Sequence, residues 1–171
     1  FSALVSLPFV PGHEVVGDTD TGRAVLIPVL HCAIRGIHPP CDACAQGHTN
    51  RCERIAFGHI EPGLQTGFCC DTGGGWSEEM VAHPDQLLAV PDDLTDEAAV
   101  MIEPTACAVH AARQVSTDAA GPIALIGAGA LGLLTLAALN RAGRTDVIVG
   151  ARYPHQRQLA EELGADRVVE P

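Results

Sequence analysis

The sequence predicts an α/β fold, in which a β-rich first part precedes a parallel sheet flanked by helices. From residue 122 onward, short apolar runs alternate with helical stretches, which is the pattern of a right-handed parallel βαβ sheet. Residues 1–30 alternate short apolar runs with turns and carry no helix signal, which is typical of a small β-barrel, and a strand is predicted from Arg23 to Val29. We therefore expect a β-rich domain over 1–96, connecting helices over 97–120 and the first half of an α/β domain over 121–171.

Composition limits the possible partners and the cellular location. The 171 residues carry a net charge of -11, and all ten basic residues are arginine, so nucleic acid and anionic membranes are not expected as partners. The sequence shows no signal peptide and no apolar run of about 20 residues. Seven cysteines, with close C-x-x-C spacing, favour metal thiolates in a reducing compartment over disulfides. Because the chain opens at Phe1 and closes within an α/β pattern, we expect an internal fragment of a longer cytoplasmic protein.

A histidine and a glutamate in the β-rich part are the first candidate metal ligands. His13-Glu14 follows a Pro11-Gly12 turn and precedes Val15. At a strand end or bend, an adjacent imidazole and carboxylate can both reach one ion, and both are ordinary zinc ligands. Most isolated His-Glu pairs hold no metal, so a metal site is predicted here only if neighbouring motifs support it.

The cysteine lobe, residues 31–54, carries a stronger signal. Cys41-x-x-Cys44 supplies two thiolates from one turn, and Cys52 returns a third. Structural zinc needs a fourth ligand, and two residues compete for that place. Cys32 would complete an all-thiolate site, which we favour, whereas His38 would give three thiolates and one imidazole.

A helix break places a carboxylate where it can face a cleft. Thr95 is predicted to cap one helix, which stops near Glu103, and Pro104 is predicted to begin a second that runs to about Val115. Proline is tolerated in the first turn of a helix but not in its interior, so the chain must turn close to Glu103.

The clearest motif is a glycine turn between a strand and a helix. Four apolar residues, Ile123 to Ile126, run into Gly127-x-Gly129-x-x-Gly132, and a Leu/Ala-rich helical stretch follows. The first glycine makes the turn, the second admits a pyrophosphate close to the backbone, and the third lets the helix approach the strand. The free N–H groups at the helix start, around Ala130 and Leu131, then attract phosphates. This context predicts a dinucleotide site.

Further elements complete the βαβ pattern. The helix after the glycine turn should span about 130–142 and end at Gly143, before a strand over 146–149. A second helix should run over 154–163 and end at Gly164, before a strand that begins at 167.

The ribose end of the predicted nucleotide site lacks an acid. About 20 residues after the glycines, where an acidic residue holds the ribose hydroxyls in NAD sites, stand Ala151 and Arg152. An arginine can pair with a 2′-phosphate, so the sequence favours NADP over NAD. The alternative is that Arg152 is a surface arginine and both nucleotides are accepted.

Taken in order, these motifs resemble those of the zinc-dependent medium-chain dehydrogenases. The motifs are Gly12-His13-Glu14-x-x-Gly17, the cysteine lobe, Gly74-Gly75-Trp76-Ser77-Glu78, Glu103-Pro104 and the glycine turn. Within that family the chain looks most like the alcohol, sorbitol, threonine and glucose dehydrogenases. The resemblance covers nearly the whole chain and implies a GroES-like β-barrel catalytic domain, N-terminally truncated here, beside a C-terminally truncated Rossmann domain.

The resemblance also implies roles for the site residues. His13 would be a ligand of a catalytic zinc, Glu14 a ligand or its close neighbour, and Glu103 a carboxylate at the metal or its bound water. The cysteine ligand that the family carries about 20 residues before this histidine would lie before Phe1, as would the neighbouring proton-relay residue. Hydride would pass between a small alcohol or polyol and NAD(P), with zinc polarising the oxygen. The full-length enzyme would be a homo-oligomer, and this fragment alone would be inactive.

Two other functions compete with this interpretation. One is a zinc-independent NADPH carbonyl or enoyl reductase of the same fold, against which the His13, Glu14 and Glu103 set argues. The other is an interaction module stabilised by zinc in the cysteine lobe, which would leave the glycine turn unexplained.

Overall fold

The computed structural model describes residues 7–69, 71–115 and 121–170, and it divides into two compact units. The first unit comprises Phe1–Val100 and the second Met101–Pro171. In the described ranges, no helix has the length and apolar character required to cross a bilayer.

The first unit is built from short antiparallel strands. Strands β1 (Val16–Thr19) and β2 (Gly22–Leu26) form a hairpin, and β5 (Leu87–Ala89) pairs with the other edge of β2. A second sheet joins β3 (Gly63–Gln65) to β4 (Phe68–Cys69). The structure thus has the antiparallel pairing expected of the β-rich part.

Strand β2 is shorter than the sequence predicts. We expected a strand from Arg23 to Val29, but β2 ends at Leu26, and Val29 forms only an isolated bridge to Gln65. Pro28 explains the early end, because proline has no N–H to donate to a sheet ladder. Its carbonyl instead accepts from the N–H of Thr66, at 2.9 Å, and so links the two sheets of this unit.

The cysteine lobe contains little regular structure. Helix α1 (Asp42–Ala45) is a single turn without buried residues, and a short 3-10 turn covers Thr49–Arg51. Regular secondary structure therefore contributes little to the shape of this lobe.

The helix break near Glu103 lies earlier than the sequence predicts. Helix α2 (Asp96–Ala99) begins at a Thr95 cap, whose hydroxyl accepts from the N–H of Ala98 as predicted. Helix α3 (Ile102–Gln114) then starts two residues before Pro104. This is possible because the first N–H groups of a helix have no intrahelical partner, so proline is harmless anywhere in the first turn. Glu103 thus lies in the first turn of α3 and not at the end of α2.

The second unit is a parallel three-stranded sheet with helical crossovers, as predicted. Strands β6 (Ile123–Ile126), β7 (Val147–Gly150) and β8 (Arg167–Val169) follow one another in sequence and in space. Helices α4 (Ala130–Arg141) and α5 (Pro154–Glu162) connect them.

The core of this second unit lies where the helices cover β7. Its buried members alternate along β7 and recur on the inner faces of the helices: Ala128, Leu136, Leu139, Val147, Val149, Ala151 and Ala160. Gly143 and Gly164 follow the two crossover helices with positive φ angles, which fits their predicted role as stops.

Candidate functional site

Four cysteine sulfurs converge in the first unit. Cys32, Cys41, Cys44 and Cys52 offer sulfur atoms that all lie within 4.8 Å of one another, and the sulfurs of Cys32 and Cys52 are 3.7 Å apart. A tetrahedral zinc with Zn–S bonds of about 2.3 Å would separate its sulfurs by about 3.8 Å, so the group fits that ion. The structure therefore brings Cys32 to the other three thiols, while His38 is exposed and outside the group.

The surroundings of these sulfurs are unequal. N–H groups of Glu53 and Cys44 donate to Cys41 and lower the pKa of its thiol to about 7. Burial raises the pKa of the Cys44 thiol to about 12 and also raises that of Cys32. Without a cation, part of the group therefore stays protonated, whereas a bound metal ion deprotonates its thiol ligands.

A buried arginine supports the base of the cysteine lobe. Arg35 is fully buried, and its Nε donates to the carbonyl of Leu30 at 2.9 Å. Its two terminal nitrogens donate to four carbonyls of the segment 57–63, those of Phe57, Ile60, Glu61 and Gly63. Five hydrogen bonds offset the desolvation of the cation and fasten the turn that carries Cys32 to that segment.

Glycines hold the loop that carries His13 against the Gly-Gly-Trp segment. The N–H groups of Gly74, Gly75 and Trp76 donate to the carbonyls of residues 10–12 at 2.7–3.0 Å. A Cβ on Gly12 would lie 2.6 Å from Cδ1 of Trp76, and the φ of Gly12 is +107°, so both space and backbone conformation require glycine there. The two motifs of the sequence are therefore one packed pair of loops.

His13 and Glu14 line a cleft beside these loops. The cleft has a volume of about 300 Å³ and is also lined by Phe68 and Trp76. The His13 ring meets Phe68 edge to face, with centroids 5.6 Å apart, and a nitrogen of His13 lies within 4.8 Å of a carboxylate oxygen of Glu14. The pair can therefore offer two ligand atoms to one ion.

Glu103, the third predicted ligand, belongs to the second unit. It lies at the second position of α3 and is partly buried. One turn later, Sγ of Cys107 lies 3.8 Å from its carboxylate, which is the contact expected for residues four apart on a helix.

The glycine turn in the second unit has the backbone that the motif requires. Gly127 has a φ of +100°, and its N–H continues the sheet ladder to the carbonyl of Gly150 at 3.0 Å. Gly129 caps α4, and Ala130 and Leu131 follow it as exposed residues in the first helical turn. Their N–H groups have no intrahelical acceptor and are available to an anion.

The third glycine is required by close packing. A Cβ on Gly132 would lie only 2.0 Å from the carbonyl oxygen of Gly127, whereas a Cβ on Gly129 would meet nothing within 4 Å. Gly132 therefore allows α4 to pack closely against the turn. The absence of a side chain at Gly129 leaves the space next to the turn open.

Arg152 stands just past the carboxyl end of β7. Ala151 is fully buried, and Arg152 is exposed. The guanidinium carbon of Arg152 lies 5.7 Å from the centroid of the Tyr153 ring. The structure thus presents a cation at the position where the motif expects the ribose contact.

Sequence reasoning missed the buried polar groups of the first unit. Besides Arg35, the amide of Gln86 donates to the Thr66 hydroxyl at 2.9 Å and to the carbonyl of Ile27 at 3.1 Å. The only signal for Arg35 was its position between apolar neighbours, Ile34 and Ile37, and nothing marked Gln86.

Comparison with known proteins finds relatives of the chain as a whole. No protein-family model matches the chain. The chain is 39% identical over 161 residues to the (R,R)-butanediol dehydrogenase of Bacillus subtilis, an alignment that covers 92% of this chain and 43% of that enzyme. It spans about half the length of the curated relatives it matches.

Two solved structures share the fold and hold different nucleotides. A Sinorhizobium meliloti protein assigned as a zinc-binding dehydrogenase, bound to NADP, superposes with a TM-score of 0.77 at 29% identity over 98% of this chain and 48% of that one. A protein of Escherichia coli described as a short chain alcohol dehydrogenase, in complex with NADH, gives a TM-score of 0.70 at 25% identity over 94% of this chain and 46% of that one. In sequence and fold, this chain is thus similar to zinc-dependent dehydrogenases of the medium-chain dehydrogenase/reductase family.

Proposed function

We propose that the chain is part of an enzyme that transfers hydride between a small alcohol or polyol and NAD(P), with zinc at two sites. One observation carries the proposal: a glycine turn shaped for a pyrophosphate occurs in a chain that also groups four thiols and pairs His13 with Glu14. An interaction module would need the thiols but not the nucleotide turn, and a zinc-independent reductase would need the turn but not the His-Glu pair.

The structural zinc would be held by the cysteine group. Four sulfurs at the separations described fit a closed tetrathiolate site, which supports Cys32 over His38 as the fourth ligand. Such an ion would stabilise a lobe that has little core of its own.

The catalytic zinc would be held by His13 and Glu14, with Glu103 at the metal or its bound water. When bound, this ion would supply a Lewis acid that favours loss of the substrate hydroxyl proton. The chain's own residues orient the reaction: Phe68 packs on His13 and limits its rotation, and the two glycine-packed loops fix the backbone that carries it.

The nucleotide would bind along the glycine turn. Its pyrophosphate would accept from the N–H groups at the start of α4, and Arg152 would pair with a 2′-phosphate, which favours NADP over NAD. We further propose a small-molecule substrate, no nucleic-acid or membrane partner, a homo-oligomeric full-length enzyme and a cytoplasmic location, which the thiol-rich composition and the acidic charge of -11 support.

Zinc content and nucleotide binding test the proposal together. The chain should bind NADPH in calorimetry and hold zinc in the tetrathiolate site; one zinc without nucleotide binding would identify the interaction module. In the full-length enzyme two zincs per chain are expected, whereas nucleotide binding with a single zinc would identify a zinc-independent reductase.

Cofactor choice is tested by one substitution. Arg152→Ala should weaken NADPH binding about tenfold or more, because a charge-assisted pair with a phosphate is lost, and should leave NADH binding nearly unchanged. An equal effect on the two nucleotides would refute the preference for NADP.

A further inference from the structure

Three side chains after β7 form a stacked row. The guanidinium of Arg152 lies over the ring of Tyr153, with 5.7 Å from its carbon to the ring centroid. The imidazole of His155 is parallel to the same ring, at 7° and 5.8 Å between centroids. Tyr153 is therefore in contact with both a cation and a second aromatic ring.

The backbone below this row is fixed by a second arginine. Nη1 of Arg157 donates to the carbonyl of Arg152 at 2.8 Å and to that of Ala151 at 3.3 Å. The same nitrogen lies 3.7 Å from the carboxylate of Glu170. Arg157 is thus engaged with the protein, and Arg152 is the cation of this segment that faces solvent.

The segment also carries no negative charge. Residues 151–160 contain no aspartate or glutamate, so the positive charge of Arg152 is not offset within its own segment. An exposed arginine side chain samples many rotamers, and ordering it on binding a ligand costs free energy. Stacking on Tyr153 reduces that cost because the guanidinium is already restricted before the ligand arrives.

We propose that Tyr153 and His155 are positioning residues that hold Arg152 ready to bind a 2′-phosphorylated adenosine. His155 stacks on the Tyr153 ring and limits its motion, and Tyr153 in turn restricts Arg152. This inference rests on the proposed NADP-binding function. It assigns the discrimination between NADP and NAD to all three side chains of the row. The strength of the preference for NADP therefore depends on Tyr153 and His155 as well as on Arg152.

The test compares variants that keep or remove a flat ring. Tyr153→Phe retains the ring and should retain the ratio of affinities for adenosine 2′,5′-bisphosphate and 5′-AMP. Tyr153→Leu removes the ring and should lower that ratio by about two- to fivefold, the worth of an exposed cation–π contact. His155→Ala should lower it by less, and His155→Phe should restore it. Calorimetry with the full chain measures each ratio.

A spectroscopic readout reports on the row directly. Tyr153 is the only tyrosine of the chain, so 13C-labelled tyrosine gives a single set of ring signals in NMR spectra. In the native chain, adenosine 2′,5′-bisphosphate should shift these signals more than 5′-AMP does. His155→Ala should change their position before any ligand is added, which a residue outside the stack would not do.

The outcomes separate this inference from the proposed function. If the native chain does not prefer the 2′-phosphorylated ligand, the NADP assignment fails and the inference fails with it. If the native chain shows the preference and Tyr153→Leu keeps it, with unchanged thermal unfolding, the NADP assignment stands and the positioning role is refuted. A lower ratio in Tyr153→Leu together with a native ratio in Tyr153→Phe supports it.

Discussion

The two units of the chain are stabilised in different ways. The second unit is a regular βαβ sheet, and the buried members of its cluster around β7 are all apolar. The first unit has only short strands, and its interior includes a fully buried arginine, a buried glutamine and four grouped thiols. The comparison shows that apolar packing serves both units, and that the first unit adds specific polar contacts and, as we propose, a metal ion.

Removal of zinc should have the largest effect, and it should be confined to the cysteine lobe. Structural zinc contributes on the order of 10 kcal/mol to the folding of small domains, and this lobe has a single helical turn without buried residues. A chelator should therefore increase hydrogen exchange across residues 31–54.

Two matched variants identify the fourth ligand. Cys32→Ser should abolish stoichiometric zinc, because the tetrathiolate set loses a member. His38→Ala should keep full zinc content, since His38 lies outside the sulfur group. Loss of zinc in His38→Ala with full zinc content in Cys32→Ser would identify His38 as the fourth zinc ligand.

Loss of the buried arginine should have the next largest effect. Arg35→Met removes five hydrogen bonds and leaves buried carbonyls of the segment 57–63 without that donor, so we expect a loss of about 3–5 kcal/mol in the free energy of unfolding. Denaturation followed by the fluorescence of Trp76, the only tryptophan, reports on this unit. Arg54→Met, at an exposed position, is the control and should change stability by less than about 0.5 kcal/mol.

Paired glycine variants test the second unit. Gly132→Ala places a Cβ against the carbonyl of Gly127 and should cost about 1–3 kcal/mol of stability, as overpacking does. Gly129→Ala meets open space and should leave thermal unfolding unchanged while weakening NADPH binding, because the nucleotide would approach there. Equal stability losses in the two variants would contradict the packing argument.

The smallest effect should come from a surface ion pair of the second unit. The guanidinium of Arg144 donates to Asp146 and lowers the pKa of that carboxyl below its usual value. A lowered pKa in the folded state contributes stability at pH values above the unfolded pKa of about 3.9, and this contribution is lost as pH falls through the folded value. Asp146→Asn should therefore lower Tm slightly at pH 7, and the difference from the native chain should vanish in acid.

The second unit was the more predictable of the two, for a physical reason. An apolar strand, a glycine turn and the helix that follows are each specified by residues adjacent in the chain, so the elements from 123 to 169 lie within one or two residues of their predicted bounds. The end of β2 and the start of α3 were misplaced because each was assigned from one local rule. Pro28 ends the hydrogen-bond ladder of β2 earlier than the apolar pattern suggests. Pro104 is tolerated anywhere in the first turn of α3.

The sequence by itself determined the fold class, the glycine turn, the cysteine set with two candidates for its fourth member, and the family resemblance. Each of these features is identified from the spacing of residue types along the sequence, which can be read without a structure. Only the tertiary structure decided that Cys32 joins the other sulfurs, that Arg35 is buried against five carbonyls, and that Arg152, Tyr153 and His155 form a row. Such contacts depend on where loops fold back in space, because a polar side chain is stable in an interior only where distant backbone groups meet it.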